Sequence, residues 1–565
     1  MKKINLKIWA FVFMAALFAF TGCKDCEDCA TPTTAPTFTT FDISSESGNF
    51  VVTVGFSEGV YKNNDQTGNL DKGSFDVSIE GGSAQLSDYT VTQTAGEATA
   101  VINIELASVS NGKEIILVQP SSDVSIYNAS GDAMSSNEAL ISNLVSTVTI
   151  TDDGSGTGTT TWTSDNIYIL NGFVFVNDGQ TLTIEPGTVI KGKSGQGENA
   201  SALIVAMGGK IMAEGTADKP IIFTAEADDL QGSVPDLDNG LWGGVIILGK
   251  AKLNTSTVPQ QIDGLPTTEP RGAYGGTNDD DDSGVFKYVS LRHGGTDIGE
   301  GNEINGLTLG GVGRNTVIEY VEVFANKDDG VEFFGGVPRL SHIVVAFCGD
   351  DSYDYDQGYS GYGQFWLAVQ GYGRGDRIGE HDGGTDPETG TPYAIPNIFN
   401  VTYMGRGEDA GKRLITFRDN AGGHYANSIM INQAKGIDIE LLSGECSYSK
   451  FENGDLTLTN NMFWDVAAST IFTISAADDV DSTTAANASA NVAAYFATAG
   501  NAVEDPGITI DEAFSLFNPV PTNSVGGTMT NTPDAWFETV NYKGAFDPNG
   551  TNWAAGWTLF SKYME

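Results

Sequence analysis

Positive charge is what this chain has least of. Across 565 residues, 29 Lys and Arg stand against 73 Asp and Glu, for a net charge of −44. A surface of that sign repels nucleic acid and anionic membrane and favours divalent cations, so no nucleic-acid partner is expected. Only 18% of residues are charged, so the acidity reflects missing bases more than charge blocks. After the N-terminus no apolar run is long enough to span a membrane. The 70 glycines follow no G-X-Y period, which excludes collagen. Of the five cysteines, Cys26 and Cys29 form a lone C-x-x-C, too few ligands for a zinc site and without a βαβ setting for redox chemistry. Whether Cys348 and Cys446 pair is left open by the sequence. At 40% hydrophobic residues, the chain can still bury a core.

What is present is a repeat. NTVIEYVEVFANKDDGVEFFGG lies over RLSHIVVAFCGDDSYDYDQG at a constant offset of 22 residues. Tyr320 falls on His342, Val321 on Ile343, Asp328 and Asp329 on Asp350 and Asp351, and Glu332 on Asp354. A short period of alternating apolar residues, broken by Gly and paired Asp, is one unit that buries its face only by stacking on copies of itself. The pattern predicts coils of a parallel β-helix with equivalent residues directly above one another.

The N-terminus reads as an address. Lys2, Lys3 and Lys7 precede an apolar run from Ile8 to Phe20 that ends in Thr21-Gly22-Cys23, the layout of a secretory signal. Its end resembles the bacterial lipoprotein box, which implies residues 1–22 as signal peptide and a lipid on Cys23. Cys23-Lys24-Asp25 resembles the surface-export signal of Bacteroidota lipoproteins, although Cys26 replaces the usual second acidic residue. Residues 23–37 form a tether. Short alternating segments separated by turn residues over 38–153 predict an antiparallel β-sandwich, similar in pattern to bacterial immunoglobulin-like modules. The small residues of 154–161 read as a linker, 162–465 as the β-helix, and 466–565 as a C-terminal cap with a helix over Thr484 to Ala499. The whole chain is therefore expected to be all-β.

Stacked strands lie about 4.8 Å apart, so the paired aspartates of successive coils meet. Asp328, Asp329, Glu332, Asp350, Asp351, Asp354 and Asp356 are the candidate ligands, and an all-oxygen cluster suits Ca²⁺. The alternative is a row of solvated Asp turns. Tyr355, Tyr359, Tyr362 and Trp366 are candidate glycan-stacking residues if exposed, and plain core if buried. Glu380, His381 and Asp382 sit in a Gly-rich stretch, as mixed metal ligands or as a solvated loop.

Residues 160–565 resemble a family of β-helical lipoproteins, mostly of Bacteroidota, in KDDGVEFFGG, FCGDDSYDYDQGYSGYGQFW and NYKGAF…NWAAGWT. The resemblance implies a right-handed parallel β-helix anchored by lipid at the outer membrane and facing outward. The expected function is a non-enzymatic face that binds a glycan, a divalent cation or an envelope protein. The alternative is a Ca²⁺-dependent polysaccharide lyase or glycoside hydrolase acting on acidic polysaccharide, with Arg374, Arg377, Arg406, Arg413 or Arg418 as basic group.

Overall fold

The computed structural model describes residues 34–565 except 47–48, 83, 108–113, 231, 300–301, 372, 468–470, 512, 514 and 565. The signal peptide, most of the tether and Cys23 lie outside the described residues. Strands Phe38–Glu46, Asn49–Phe56, Leu86–Thr92 and Thr99–Leu106 form one antiparallel sheet, and Phe75–Gly81, Glu114–Pro120 and Leu140–Asn143 another. They enclose a core that includes Val52, Val54, Ile102, Ile116 and Val118.

Everything that follows winds in parallel coils. Three strand faces run the length of the solenoid. The second face starts earlier than the sequence pattern suggests, because Ser146–Ile150 already pairs in parallel with Asn166–Leu170. Residues 154–161 are held against the first coils rather than hanging free: the Gly158 N–H donates to Gln180 Oε1 at 3.1 Å, and Gln180 Nε2 donates to the Ser155 carbonyl at 2.7 Å. The 22-residue register is observed residue for residue, with Val321 opposite Ile343 and Glu332 opposite Asp354.

The first and second faces meet at a bend that repeats in seven coils. Tyr288, Tyr320, His342, Phe365, Asn400, Asn427 and Asn460 all have positive φ there, between 47° and 59°. Such a backbone is costly for a side chain larger than Gly, and stacking of the side chains offsets it. Ring centroids are 4.4 Å apart for Tyr288–Tyr320, 4.3 Å for Tyr320–His342 and 4.9 Å for His342–Phe365.

The region after residue 466 divides in two. Helix Ser482–Thr498 closes the last coil, with Ala488 and Val492 in the lumenal core. Residues 504–565 do not cap. They turn back along the flank of the second face, where Phe517, Ala545, Phe546, Leu559 and Phe560 pack on Phe324, Phe347, Leu367, Met404 and Ile429. The physical reason is that the outward residues of these coils are themselves apolar, so the flank needs covering as much as the end does. No described helix is long and apolar enough to cross a membrane.

Candidate acidic site

Strand alternation decides what the third face presents. Val331, Phe333, Tyr353, Tyr355 and His381 point into the lumen and are buried. Their neighbours point outward in two columns: Thr308, Glu332, Asp354 and Glu380 in one, and Phe334, Asp356, Asp382 and Arg418 in the other. At the corner that leads into this face stand Asp328 and Asp329, then Asp350 and Asp351, then Asp376. The oxygens of Asp328, Asp329 and Asp350 lie within 4.8 Å of one another, as do those of Asp329, Glu332 and Asp354, and those of Asp350, Asp351 and Asp376.

Part of this charge is answered. The Asp351 N–H donates to Asp329 Oδ1 at 2.8 Å. The Arg377 N–H donates to Asp351, and its guanidinium lies 3.0 Å from Glu380 and 3.3 Å from Asp376. Lys412 reaches Asp376 at 2.8 Å, and Arg418 reaches Asp382 at 2.6 Å and Glu380 at 2.8 Å. The Asn305 amide donates to Glu332. Asp354 Oδ1 is buried and has no partner.

The unanswered remainder shows in the protonation. Burial, with the Asp350 charge second, pushes Asp328 up to about 6. Burial and neighbouring carboxylates hold Asp329, Glu332, Asp351 and Asp354 well above the usual range. Asp350 and Asp356 are also raised, chiefly by burial. Asp382 is pushed up to about 7, because burial outweighs its Arg418 partner. Buried, mutually repelling carboxylates of this kind are a mark of functional sites.

The site has a fixed wall at its low-numbered end. The segment between strands Val245–Leu248 and Gly284–Arg292 lies on the outer apolar face of the early coils. There Leu253, Ile262, Leu265 and Tyr274 bury Ile204, Ile246 and Leu248. Tyr274 Oη donates to Gln357 Oε1 at 2.7 Å, and the Gln357 N–H donates to Asp356 Oδ1 at 2.5 Å. Arg271 pins the same segment to Asp152 at 2.7 Å and lies 3.7 Å over the Phe175 ring.

Several sequence-based expectations need correcting. Tyr355, Tyr359 and Trp366 are at most 1% exposed and fill the lumen, because they share the inward parity of the apolar residues around them. They are not available to a glycan. Tyr362 is half-buried against Trp536 and Phe537. His381 is no metal ligand: it is enclosed, with Nδ1 at 2.7 Å from its own strand's Glu380 carbonyl and Nε2 at 2.7 Å from Tyr425 Oη. Of the seven candidate carboxylates, six fall in the close groups, and Asp356 stands apart in the second column. Arg377 and Arg418 enter the network, whereas Arg413 pairs with Asp438 at 3.0 Å and Arg406 donates to the Gly375 carbonyl at 2.5 Å. Cys348 and Cys446 are both free and buried. Asp376 and Asn305 escape the sequence reading, and Glu380, read there only beside His381 and Asp382, joins the stacked carboxylates instead, because the next coil is four residues longer and Tyr353 pairs with Gly379.

The family profile described as Pectate-lyase like beta helix domain matches residues 154–558. No curated protein sequence matches the chain. Among solved structures, the catalytic unit of the thermostable GH87 alpha-1,3-glucanase from Streptomyces thermodiastaticus strain HF3-3 is similar at 12% identity. It covers 77% of this chain and 89% of its own, with a TM-score of 0.20. A GH87 alpha-1,3-glucanase catalytic domain in complex with tetrasaccharides is similar at 10% identity, covering 76% and 91%, with a TM-score of 0.19.

Proposed function

Since the chain belongs to the pectate-lyase-like beta helix family, we propose that it is a carbohydrate-processing protein whose outward acid columns cleave a glycan by hydrolysis. The observation that carries this reading is the pair Asp354 and Asp356. They share one strand and one outward face, and residues two apart on a strand are separated by about 6.6 Å. A backbone repeat of that length sets the two side chains side by side on one face, and the wide separation of about 6.5–9.5 Å between carboxyl groups is the one that admits a water between them and the sugar ring. Their surroundings differ as an acid and a base require. Burial, with Glu332, Asp329 and Glu380 around it, holds Asp354 well above the usual carboxylate range. Burial raises Asp356 as well, but it accepts the Gln357 N–H and feels Arg418, and both of these oppose the rise.

In this mechanism Asp354 donates a proton to the glycosidic oxygen while Asp356 draws one from the attacking water. The test is release of reducing ends from polygalacturonate, alginate and a soluble glucan. Asp354→Asn and Asp356→Asn, checked for a native fold by circular dichroism, should each lower kcat by about 10²–10⁴. Full rates in either variant would overturn the assignment. Unsaturated ends in place of simple hydrolysis products would point to elimination.

A second reading rests on the three close oxygen groups. Their all-oxygen donor set fits a hard divalent cation, which Asp328, Asp329 and Asp350, or Asp350, Asp351 and Asp376, would hold against a glycan without cleaving it. Ca²⁺ binding by calorimetry without turnover on any of the three polysaccharides would favour it. In either case the anchor is proposed to be a lipid on Cys23 at the outer membrane, facing outward. Cys23→Ala should move the protein from the membrane fraction to the soluble one. Retention in the membrane would refute the anchor.

A further inference from the structure

Resting on the hydrolytic reading, we infer that the site takes the ends of glycan chains and not their interiors. The reason is that the outer face carrying the acid columns is walled at one end and open at the other. Below Glu332 the outer surface of the third face is apolar and covered: Ile204, Ile246 and Leu248 are 0% exposed beneath the segment that carries Ile262, Leu265 and Tyr274. The Tyr274 ring sits where any side chain at Gly310 would go, 2.9 Å from the position of its Cβ, and meets the edge of Phe334 at 6.1 Å. No sugar can continue past that point.

The wall is not a lid. Lys252 holds Asp279 at 2.8 Å, Arg271 holds Asp152 and Glu269 at 2.7 Å each, and Tyr274 is fastened to Gln357. In the other direction Arg418 is 39% exposed, and Glu440 and Ser475 reach solvent on the coils beyond. The insert 383–396 borders those coils, its Glu388 carbonyl accepting the Asn420 amide at 3.0 Å, and leaves Arg418 and Ser475 open to solvent. A chain lying along the columns therefore runs out toward Arg418 and stops at the wall.

Asp263 stands on the crest of that wall. Ile262 and Leu265, 1% and 4% exposed, pin its backbone, while its own side chain is exposed. It has no hydrogen-bond or ion-pair partner among the described residues, and its charge is felt by Tyr274, Glu332 and Asp356. A partnerless carboxylate on the wall that ends the acid columns is placed to accept hydrogen bonds from the hydroxyls that only a terminal sugar carries. It is a positioning residue, not a catalytic one.

The experiment follows viscosity and product size together on polygalacturonate, alginate and a soluble glucan, with the full chain. End-acting cleavage releases one small product while viscosity barely falls. A mixed ladder of oligomers with an early drop in viscosity would overturn the inference and leave hydrolysis standing. No new reducing ends on any substrate would overturn both. Asp263→Ala, which removes no contact within the fold, should raise KM for a short oligosaccharide about tenfold, the effect of one lost hydrogen bond to a charged group, with kcat nearly unchanged. An unchanged KM would remove Asp263 from the site.

Discussion

Two columns of polar side chains climb the outside of this β-helix at the same spacing, and their hydrogen bonding could hardly differ more. At the bend between the first and second faces, Asn400, Asn427 and Asn460 continue the stack begun by Tyr288, Tyr320, His342 and Phe365, with Gln364 alongside. The returning C-terminal segment meets this column in reciprocal bonds. Asn427 donates to the Thr530 carbonyl at 2.9 Å and accepts the Thr530 N–H at 2.8 Å. Gln364 does the same with Glu538, at 2.9 Å and 2.8 Å. Asn460 reaches the Thr528 carbonyl at 2.7 Å and Asn400 that of Tyr542 at 2.9 Å. On the third face, by contrast, carboxylates stack on carboxylates, and one of their oxygens has no partner at all. A matched ladder holds the molecule together. An unmatched one costs stability, which is what singles this face out as the candidate site.

The sharpest way to test the matched side is Glu322, the carboxylate that locks the end of the C-terminal segment. It is 0% exposed and accepts the N–H groups of Leu559 and Phe560, both at 2.8 Å, as well as the Ser290 hydroxyl. Arg292 lies close by and is deeply enclosed. Glu322→Ala strands two N–H donors, releases the Ser290 hydroxyl that also accepts from Arg292 Nε at 2.8 Å, and removes the charge beside that guanidinium; breaking such a buried network costs about 3–5 kcal/mol. A marked fall in melting temperature and early proteolysis within 504–565 are expected. Wild-type melting would mean that the segment is held by its apolar contacts alone. The next largest effect is expected at Asn427→Ala, about 1–3 kcal/mol, since the Thr530 N–H and carbonyl both lose their partner.

The repeat that puts Asp328 over Asp350 is plain in the sequence, because those two coils are equal in length and carry no insert. It also places Glu332 over Asp354, which is half of the first acid column. The other half is hidden by the longer coil before Gly379, which makes a strand look like part of a loop. His381 and Tyr355 mislead for a related reason: composition does not say which parity faces the lumen, and Tyr and His are at home on either side of a strand. The C-terminal aromatics signal that something must be covered. They do not say whether it is the end of the solenoid or its flank, and that depends on outward residues such as Met404 and Ile429, which a buried parallel strand does not distinguish from its core. Asp263 is out of reach of any sequence argument, since the role proposed for it comes from where a long insert is laid.

The smallest effect separates the two columns by sign. For groups whose folded pKa is raised, the stabilising contribution is fully present below the unfolded value, about 4 for a carboxyl, and is lost as pH rises through the folded value. Asp328, pushed up to about 6, and Asp382, pushed up to about 7, therefore place the loss between about pH 4 and pH 7. Each tenfold difference in proton affinity between folded and unfolded states is worth about 1.4 kcal/mol. Other carboxylates, such as Asp279 and Asp376, are held below the usual range and pull the other way in acid, so the whole-protein curve mixes both. A difference curve does not. Asp354→Asn keeps the shape of the side chain and removes its charge, so the variant should melt at the wild-type temperature near pH 4 and above it at pH 8. The same substitution logic at Asn427 predicts the reverse: Asn427→Asp adds a charge to a matched ladder and should lower melting at pH 8 while sparing it in acid. Saturating Ca²⁺ is the remaining control, because a cation bound by the folded oxygens raises the wild-type melting temperature by mass action and should shrink the gain from Asp354→Asn. If Asp354→Asn melts below wild type at pH 8, with or without Ca²⁺, the acid column is as well matched as the amide one, and the case for a reactive site on this face fails.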